Sequence, residues 1–197
     1  MRFTVAAAAA LTTLAAIPAG ASASAPVIPA SERGMPVLKG TYQRLNGDPI
    51  NLARLRGRVV LVVNTASNCG FTDQYEPLEA LWRSQRSRGL TVLGVPSQDF
   101  AQELPTNAQV KRFCARNFGV SFPMFKISKV TGPRAIPLFR GLASPSWSRP
   151  PQWNFNKYLI DSRGRPAMYF PSSEKPDSPA MRTSINALLA ERRSSAR

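Results

Sequence analysis

Val59-Val-Leu-Val-Val63 runs directly into Asn64-Thr-Ala-Ser-Asn-Cys69-Gly-Phe-Thr72, and the reading of this stretch decides the fold. Five successive apolar residues without alternation read as a strand buried on both faces. Beyond the stretch, Tyr75, Leu78, Leu81 and Trp82 recur at the spacing of one helix face. Cys69 therefore falls in a strand-to-helix turn, close to the first turn of that helix. Unpaired N–H groups and the positive end of the helix dipole favour an anion there. The thiolate is the nucleophilic form of a thiol, so the functional reading is a reactive cysteine. The structural alternative is a buried Cys behaving as a small hydrophobe, although a small polar turn is a poor place to hide one.

Working outward, Val37 to Ile50 alternates loosely around Asn46-Gly47-Asp48-Pro49, which predicts an N-terminal hairpin. The helix from about Asp73 to Arg88 is closed by Gly89. Leu90-Thr-Val-Leu-Gly-Val95 is a second β-rich run. Thr106 or Asn107 can cap a helix carrying Val110, Phe113 and Cys114, which stops at Gly119. Phe122 to Ile127 borders the sheet, and a short helix is expected near Pro137–Leu142. Lys157 to Asp161 and Pro166 to Phe170 form a hairpin about a Gly-containing turn, and residues 178–193 make a last amphipathic helix. Strand, helix, strand, helix, hairpin, helix is the order of an α/β domain with a mixed sheet and helices on both faces. That is the thioredoxin-like arrangement, which sets the end of the first central strand beside the loop opening the hairpin. Cys69 should then meet Trp153 and Asn154.

The ends of the chain have a different character. Met1-Arg2, an Ala-rich apolar run from Phe3 to Ile17, and small residues from Pro18 to Ala25 fit a signal peptide. Residues 1–25 are expected to be cleaved, 26–36 to be a linker, and 37–193 to be one domain of an exported protein, periplasmic or secreted. No second long apolar stretch follows, so no transmembrane segment is expected.

Composition removes several chemistries. There is no histidine, which excludes Ser-His-Asp and Cys-His triads, and the only cysteines are Cys69 and Cys114. At most one disulfide can form, permanent or reversible, and a zinc site is not expected, nor any other metal or cofactor. The 26 basic residues exceed the 11 acidic ones for a net charge of +15. Along the sequence the arginines are scattered: Arg54, Arg56 and Arg58, then Arg83, Arg86 and Arg88, then Arg192 and Arg193. Neither a basic stripe nor a nucleic-acid module is present, so nucleic acid is not an expected partner. A solvated surface, with weak binding to anionic envelope surfaces, is expected instead.

NTASNCGFTDQY, GLTVLGVPSQDFAQE, FCARNFGVSFPMF and WNFNKYLIDSRG together resemble the successive signature blocks of cysteine-containing bacterial glutathione peroxidases. The resemblance extends from about Val37 to Leu189. It implies reduction of hydrogen peroxide or an organic hydroperoxide at the expense of glutathione or a thioredoxin-like thiol, in defence against oxidative stress. It also implies that Cys69 is the peroxidatic residue, oxidised by the peroxide to a sulfenic acid that a second thiol can condense with. Trp153 and Asn154 match the family's tryptophan and asparagine, whose N–H donors can stabilise a thiolate.

Two positions depart from the pattern. Asp99 stands where the family has a catalytic glutamine, with one residue missing from the loop. Asp99 then either points away, is replaced by Gln98 or Gln102, or slows the enzyme, since an ionised carboxylate accepts rather than donates. Cys114 lies in the helix that carries the resolving cysteine of thioredoxin-dependent members, but one residue early, about 100° around the helix. Resolving cysteine and core-facing cysteine both remain open readings. Two alternative functions also stand, a thiol–disulfide oxidoreductase and a non-catalytic basic module bound to the envelope. Thr72, standing where a C-x-x-C motif has its second Cys, weakens the first. The conjunction of Cys69, Trp153 and Asn154 weakens the second.

Overall fold

Residue-level packing explains the unbroken apolar run at the centre of the sequence. The protein is described by a computed structural model covering residues 27–194, so the leader expected at 1–25 lies outside the described residues. Strands β1 (Thr41–Gln43) and β2 (Pro49–Asn51) pair antiparallel as a small hairpin. Strands β3 (Val59–Thr65), β4 (Leu90–Pro96), β5 (Lys157–Ile160) and β6 (Pro166–Phe170) form the main sheet in the order β4-β3-β5-β6. Of these pairs β3–β4 is parallel, while β3–β5 and β5–β6 are antiparallel. Among the described residues the α-helices are α1 (Tyr75–Gln85), α2 (Asn107–Phe118), α3 (Pro137–Leu142) and α4 (Pro179–Ser194).

β3 is covered on both sides. Val59, Leu61 and Val63 pack with Tyr75, Leu78 and Leu81 of α1, with Val110 and Cys114 of α2, and with Met181, Ile185, Leu188 and Leu189 of α4. Val60 and Val62 pack on the other face with Leu138, Phe139 and Leu142 of α3 and with Phe125 and Val130. All seven residues of β3 are buried. Each such aliphatic side chain contributes roughly 1.5–3 kcal/mol when removed from water, so the strand tolerates no polar face. This is the expected α/β, thioredoxin-like architecture, with a mixed sheet between helices on both faces.

Helix limits follow local chemistry. Short 3₁₀ turns, Thr72–Gln74 and Arg86–Arg88, flank α1, and Gly89 ends it at φ +108°, a conformation only glycine adopts without strain. The Thr106 hydroxyl accepts from Gln109 N at the start of α2, and Gly119 ends that helix in the left-handed region. The segment after α2 joins the sheet through single bridges, Gly94 to Met124 and Arg44 to Phe125.

Residues 27–36 are not the free linker that their Pro, Ala and Ser content suggests. Ile28 N donates to Ala167 O, and Arg165 Nη1 donates to Ala30 O. Arg33 is buried, with its guanidinium 3.1 Å from Asp161 and 2.7 Å from Glu191. Burial alone would lower the Arg33 pKa, but the hydrogen bonds and charges of Glu191 and Asp161 outweigh it and raise it. Two long-range ion pairs of Arg33, with these backbone bonds, therefore dock the segment, which local composition does not disclose. Among the described residues no helix is long and apolar enough to cross a membrane.

Candidate active site

Everything at the site hangs from the last two residues of β3. Asn64 is fully buried, and it holds the loop before β5 by four hydrogen bonds. Its Nδ2 donates to Trp153 O at 2.9 Å, its Oδ1 accepts from Asn156 N at 3.0 Å, its O accepts from Phe155 N at 2.6 Å, and its N donates to Asn156 O at 3.3 Å. That grip holds Phe155 at φ +61°, a left-handed conformation that a bulky residue adopts only when its surroundings impose it. The loop bearing Trp153 and Asn154 is thus tied directly to the strand that leads into Cys69.

After β3 the chain turns through Ala66 to Phe71. Cys69 is buried, and Phe71 N donates to its sulfur at 3.5 Å. Thr72 closes the turn: its N and Oγ1 donate to Cys69 O at 3.1 and 2.5 Å, and its Oγ1 accepts from Cys69 N at 3.2 Å. A threonine therefore does structural work where C-x-x-C proteins have their second thiol.

The loop after β4 lies over this turn. Asn68 N donates to Gln102 O at 2.9 Å, and Ser67 N donates to Glu103 Oε1 at 3.0 Å. Asn154 is fully buried, and its Nδ2 donates to Gln102 Oε1 at 2.9 Å, while its Oδ1 is buried without a hydrogen-bond partner. Trp153 is 41 % exposed, and its ring stands 5.4 Å from that of Phe100. Ala101, at φ +55°, is the second non-glycine residue with a left-handed backbone, and it immediately precedes Gln102.

Asp99 turns away from this group. Its Oδ2 accepts from Val130 N, Thr131 N and Thr131 Oγ1 at 2.7, 2.9 and 3.2 Å, and its Oδ1 is 2.8 Å from Lys129 Nζ. Burial opposes ionisation, but those donors outweigh it and leave the carboxyl below its ordinary pKa. Asp99 organises the 129–131 turn, so it does not occupy a donor's place. Gln98 Nε2 donates to Glu103 O within its own loop. Of the three candidates, Gln102 is the one that meets Asn154.

Cys114 sits on the inner face of α2, one turn after Val110, and both cysteines are free thiols. Burial pushes the Cys114 pKa from 9.0 up to about 11. The hydroxyl of the wholly buried Tyr75 faces this thiol and Thr65. Glu103 adds to the rise in both, and burial raises its own carboxyl in turn. Cys114 also lines a groove of about 260 Å³ with Arg44, Lys111, Ser121 and Phe122. A larger groove of about 660 Å³ runs between α1 and α4, and neither groove is lined by Cys69, Trp153 or Asn154.

Asn64, Gln102 and Glu103 are the residues whose roles sequence reading missed or left open. Asn64 was hidden as one polar residue ending an apolar strand, a weak signal by itself. Among the described residues no cluster of three His, Cys, Asp or Glu side chains is placed to hold a metal.

The glutathione peroxidase family model matches residues 37–143 of the chain. A hydroperoxy fatty acid reductase from Synechocystis sp. is 43% identical over 143 residues, covering 68% of this chain and 85% of its own. A glutathione peroxidase-like peroxiredoxin from Chlamydomonas reinhardtii is 40% identical over 149 residues, 73% of this chain and 92% of its own. Among solved structures, a T. cruzi protein titled GPX1 superimposes with a TM-score of 0.62 at 25% identity, covering 79% of this chain and 97% of its own.

Proposed function

The chain belongs to the glutathione peroxidase family, a thiol peroxidase acting through a cysteine in oxidative-stress defence, and from this we propose that Cys69 is the peroxidatic residue. Its thiolate attacks the terminal oxygen of hydrogen peroxide or an organic hydroperoxide. The O–O bond breaks, the alcohol or water leaves with a proton, and Cys69 becomes a sulfenic acid. Gln102 and Asn154 fill the polar side of the site, with the Gln102 carbonyl accepting from Asn154 and its NH₂ available to the reacting oxygen. Trp153 supplies its indole N–H from the exposed edge. These neutral donors assist the charge that develops on the leaving oxygen without imidazole.

The observation that carries the reading is the double use of residues 102 and 103. Their backbone and carboxylate hold the Cys69 turn, while the Gln102 side chain meets Asn154. The reductant is an external thiol, glutathione or a thioredoxin-like protein. The buried Cys114, with its thiol pushed up to about 11, reaches the sulfenate only after α2 unwinds locally. Residues 1–25 direct export, to the periplasm or beyond.

Peroxide consumption with glutathione and thioredoxin as competing donors tests the proposal, run on wild type, Cys69→Ser and Cys114→Ser. Cys69→Ser should abolish turnover and sulfenic acid formation, and persistent turnover would sink the assignment. Intact mass after one equivalent of peroxide separates the two reductive routes. A lasting gain of one oxygen supports direct reduction by external thiol, and loss of two hydrogens assigns resolution to Cys114.

A further inference from the structure

Arginines that are scattered in sequence converge at the end of the sheet opposite Cys69. β3 and β4 start there side by side, with Val59 opposite Leu90, and β5 ends there, with Ile160 opposite Val60. The turn before β3 brings Arg54, Arg56 and Arg58, the turn after α1 brings Arg86 and Arg88, the β5–β6 turn brings Arg163, and the last turn of α4 brings Arg192 and Arg193. Hydrogen bonds knit these turns together. Gly57 N donates to Ser162 O, Arg58 Nη2 donates to Arg86 O and Leu90 O, and Arg192 donates to Gly57 O and Arg88 O. Arg192 also lies where a Cβ on Gly89 would be.

Where these guanidinium groups are hydrogen-bonded, at Arg58, Arg88 and Arg192, their partners are neutral. Six ion pairs form among the described residues, and none includes any of the eight arginines. The carboxylates paired at this end, Asp161 and Glu191, are taken by Arg33 and Arg165. Burial, and then the charge of Arg192, lowers the Arg58 pKa, as expected of crowded like charges. Capping of helix C-termini does not account for the cluster. Two helix ends supply about one negative charge between them, against eight positive side chains.

We propose that this arginine end is a binding surface for the phosphate headgroups of an anionic lipid bilayer. Lipid is favoured over a soluble acidic polymer by the form of the face. Its arginines come from three separate turns and a helix end, and none of them lines either of the two grooves described above. Charges spread over a whole end of the sheet match a planar array of phosphates better than one extended chain. Seven residues of β3 separate that face from the Cys69 turn, about 20 Å at roughly 3.3 Å per residue. The bound enzyme presents Cys69 to water.

Sedimentation with vesicles of phosphatidylcholine containing about a third phosphatidylglycerol tests this, using protein from cells expressing the full chain. Wild type should bind these vesicles more tightly than pure phosphatidylcholine, and added salt should weaken the difference. A triple variant, Arg56→Gln, Arg86→Gln and Arg193→Gln, removes exposed charges that no side-chain hydrogen bond needs. At roughly fivefold per basic group it should bind about a hundredfold more weakly, with hydrogen peroxide turnover unchanged. The same charge loss on α2, through Lys111→Gln, Arg112→Gln and Arg116→Gln, should cost far less. Equal losses in the two triples mean that net charge alone acts and overturn the proposal. So does binding to polyglutamate without binding to the vesicles. Suppression of hydrogen peroxide turnover by the vesicles overturns the orientation.

Discussion

Asp99 and Gln102 lie in one loop, but their side chains are held on opposite partners. Asp99 occupies the glutamine's position in the written sequence, but three donors and Lys129 hold its carboxylate on the 129–131 turn. Gln102, three residues later, reaches Asn154 instead. Gln102→Ala should slow oxidation by peroxide about tenfold or more, the scale of losing one aligned donor. Asp99→Asn should leave that rate within about threefold and lower stability, because it removes the charge facing Lys129. Stopped-flow oxidation together with urea unfolding separates the two effects. Cys114 yields a further residue-level expectation. With its pKa moved from 9.0 to about 11, its thiolate fraction at pH 8 falls about a hundredfold. Iodoacetamide should label Cys69 in the native protein and reach Cys114 only after unfolding, as peptide mapping would read. Comparable labelling of both would contradict the raised Cys114 pKa.

At the scale of elements, the site is a junction of three loops hung on one strand end. Asn64 belongs to β3, yet its hydrogen bonds fix the loop that delivers Trp153 and Asn154. Asn64→Ala removes the two side-chain bonds and leaves Trp153 O and Asn156 N to find other partners. A loss of about 2–4 kcal/mol is expected, with peroxidase activity falling alongside, since the loop loses its anchor. The pairing of an unfolding curve with a rate distinguishes this from Gln102→Ala, which leaves one buried donor, Asn154 Nδ2, unpaired and should cost only about 1–2 kcal/mol beside its effect on the rate. Docking of residues 27–36 likewise depends on one side chain beside its backbone bonds. Arg33→Ala leaves Asp161 with Arg165 and strips only the half-exposed Glu191 of its partner, so about 1–2 kcal/mol should be lost, mostly through the packing and hydrogen bonds of the buried guanidinium. Protease cleavage near residue 30 should accelerate in that variant.

Across the whole molecule, the fold buries charge where the chain needs cross-links. Lys157 in β5 is fully buried, and its ammonium donates to Pro171 O, Ser172 O and Glu174 O, which ties the loop before α4 to the sheet. Burial lowers its pKa from 10.5 to about 7, against the pull of Glu174 and Asp73. Between those values the unfolded chain carries a proton that the folded chain has released. The unfolded state therefore binds more protons, and this group's contribution to stability rises with pH from about 7 to about 10.5. Urea midpoints of wild type and Lys157→Met, measured across that window, should show the difference between them shifting in favour of wild type as pH climbs. A constant difference would mean that the amine keeps its proton when folded.

The sequence by itself determined what depends on neighbours along the chain. The apolar run at 59–63 could only be a strand covered on both faces, helical spacing placed α1 and α4, and Gly89 and Gly119 marked the ends of α1 and α2. It also placed Cys69 in a strand-to-helix turn and, through four ordered motifs, indicated the family. Tertiary structure alone decided what depends on groups far apart in sequence. It chose Gln102 over Asp99 because the path of the loop, with Ala101 in a left-handed conformation, sets which side chain reaches Asn154. It turned residues 27–36 from a linker into a docked segment through Arg33, and it gathered separated arginines at one end of the sheet. Local periodicity encodes which face of an element is buried, whereas which loops share an end follows only from strand order.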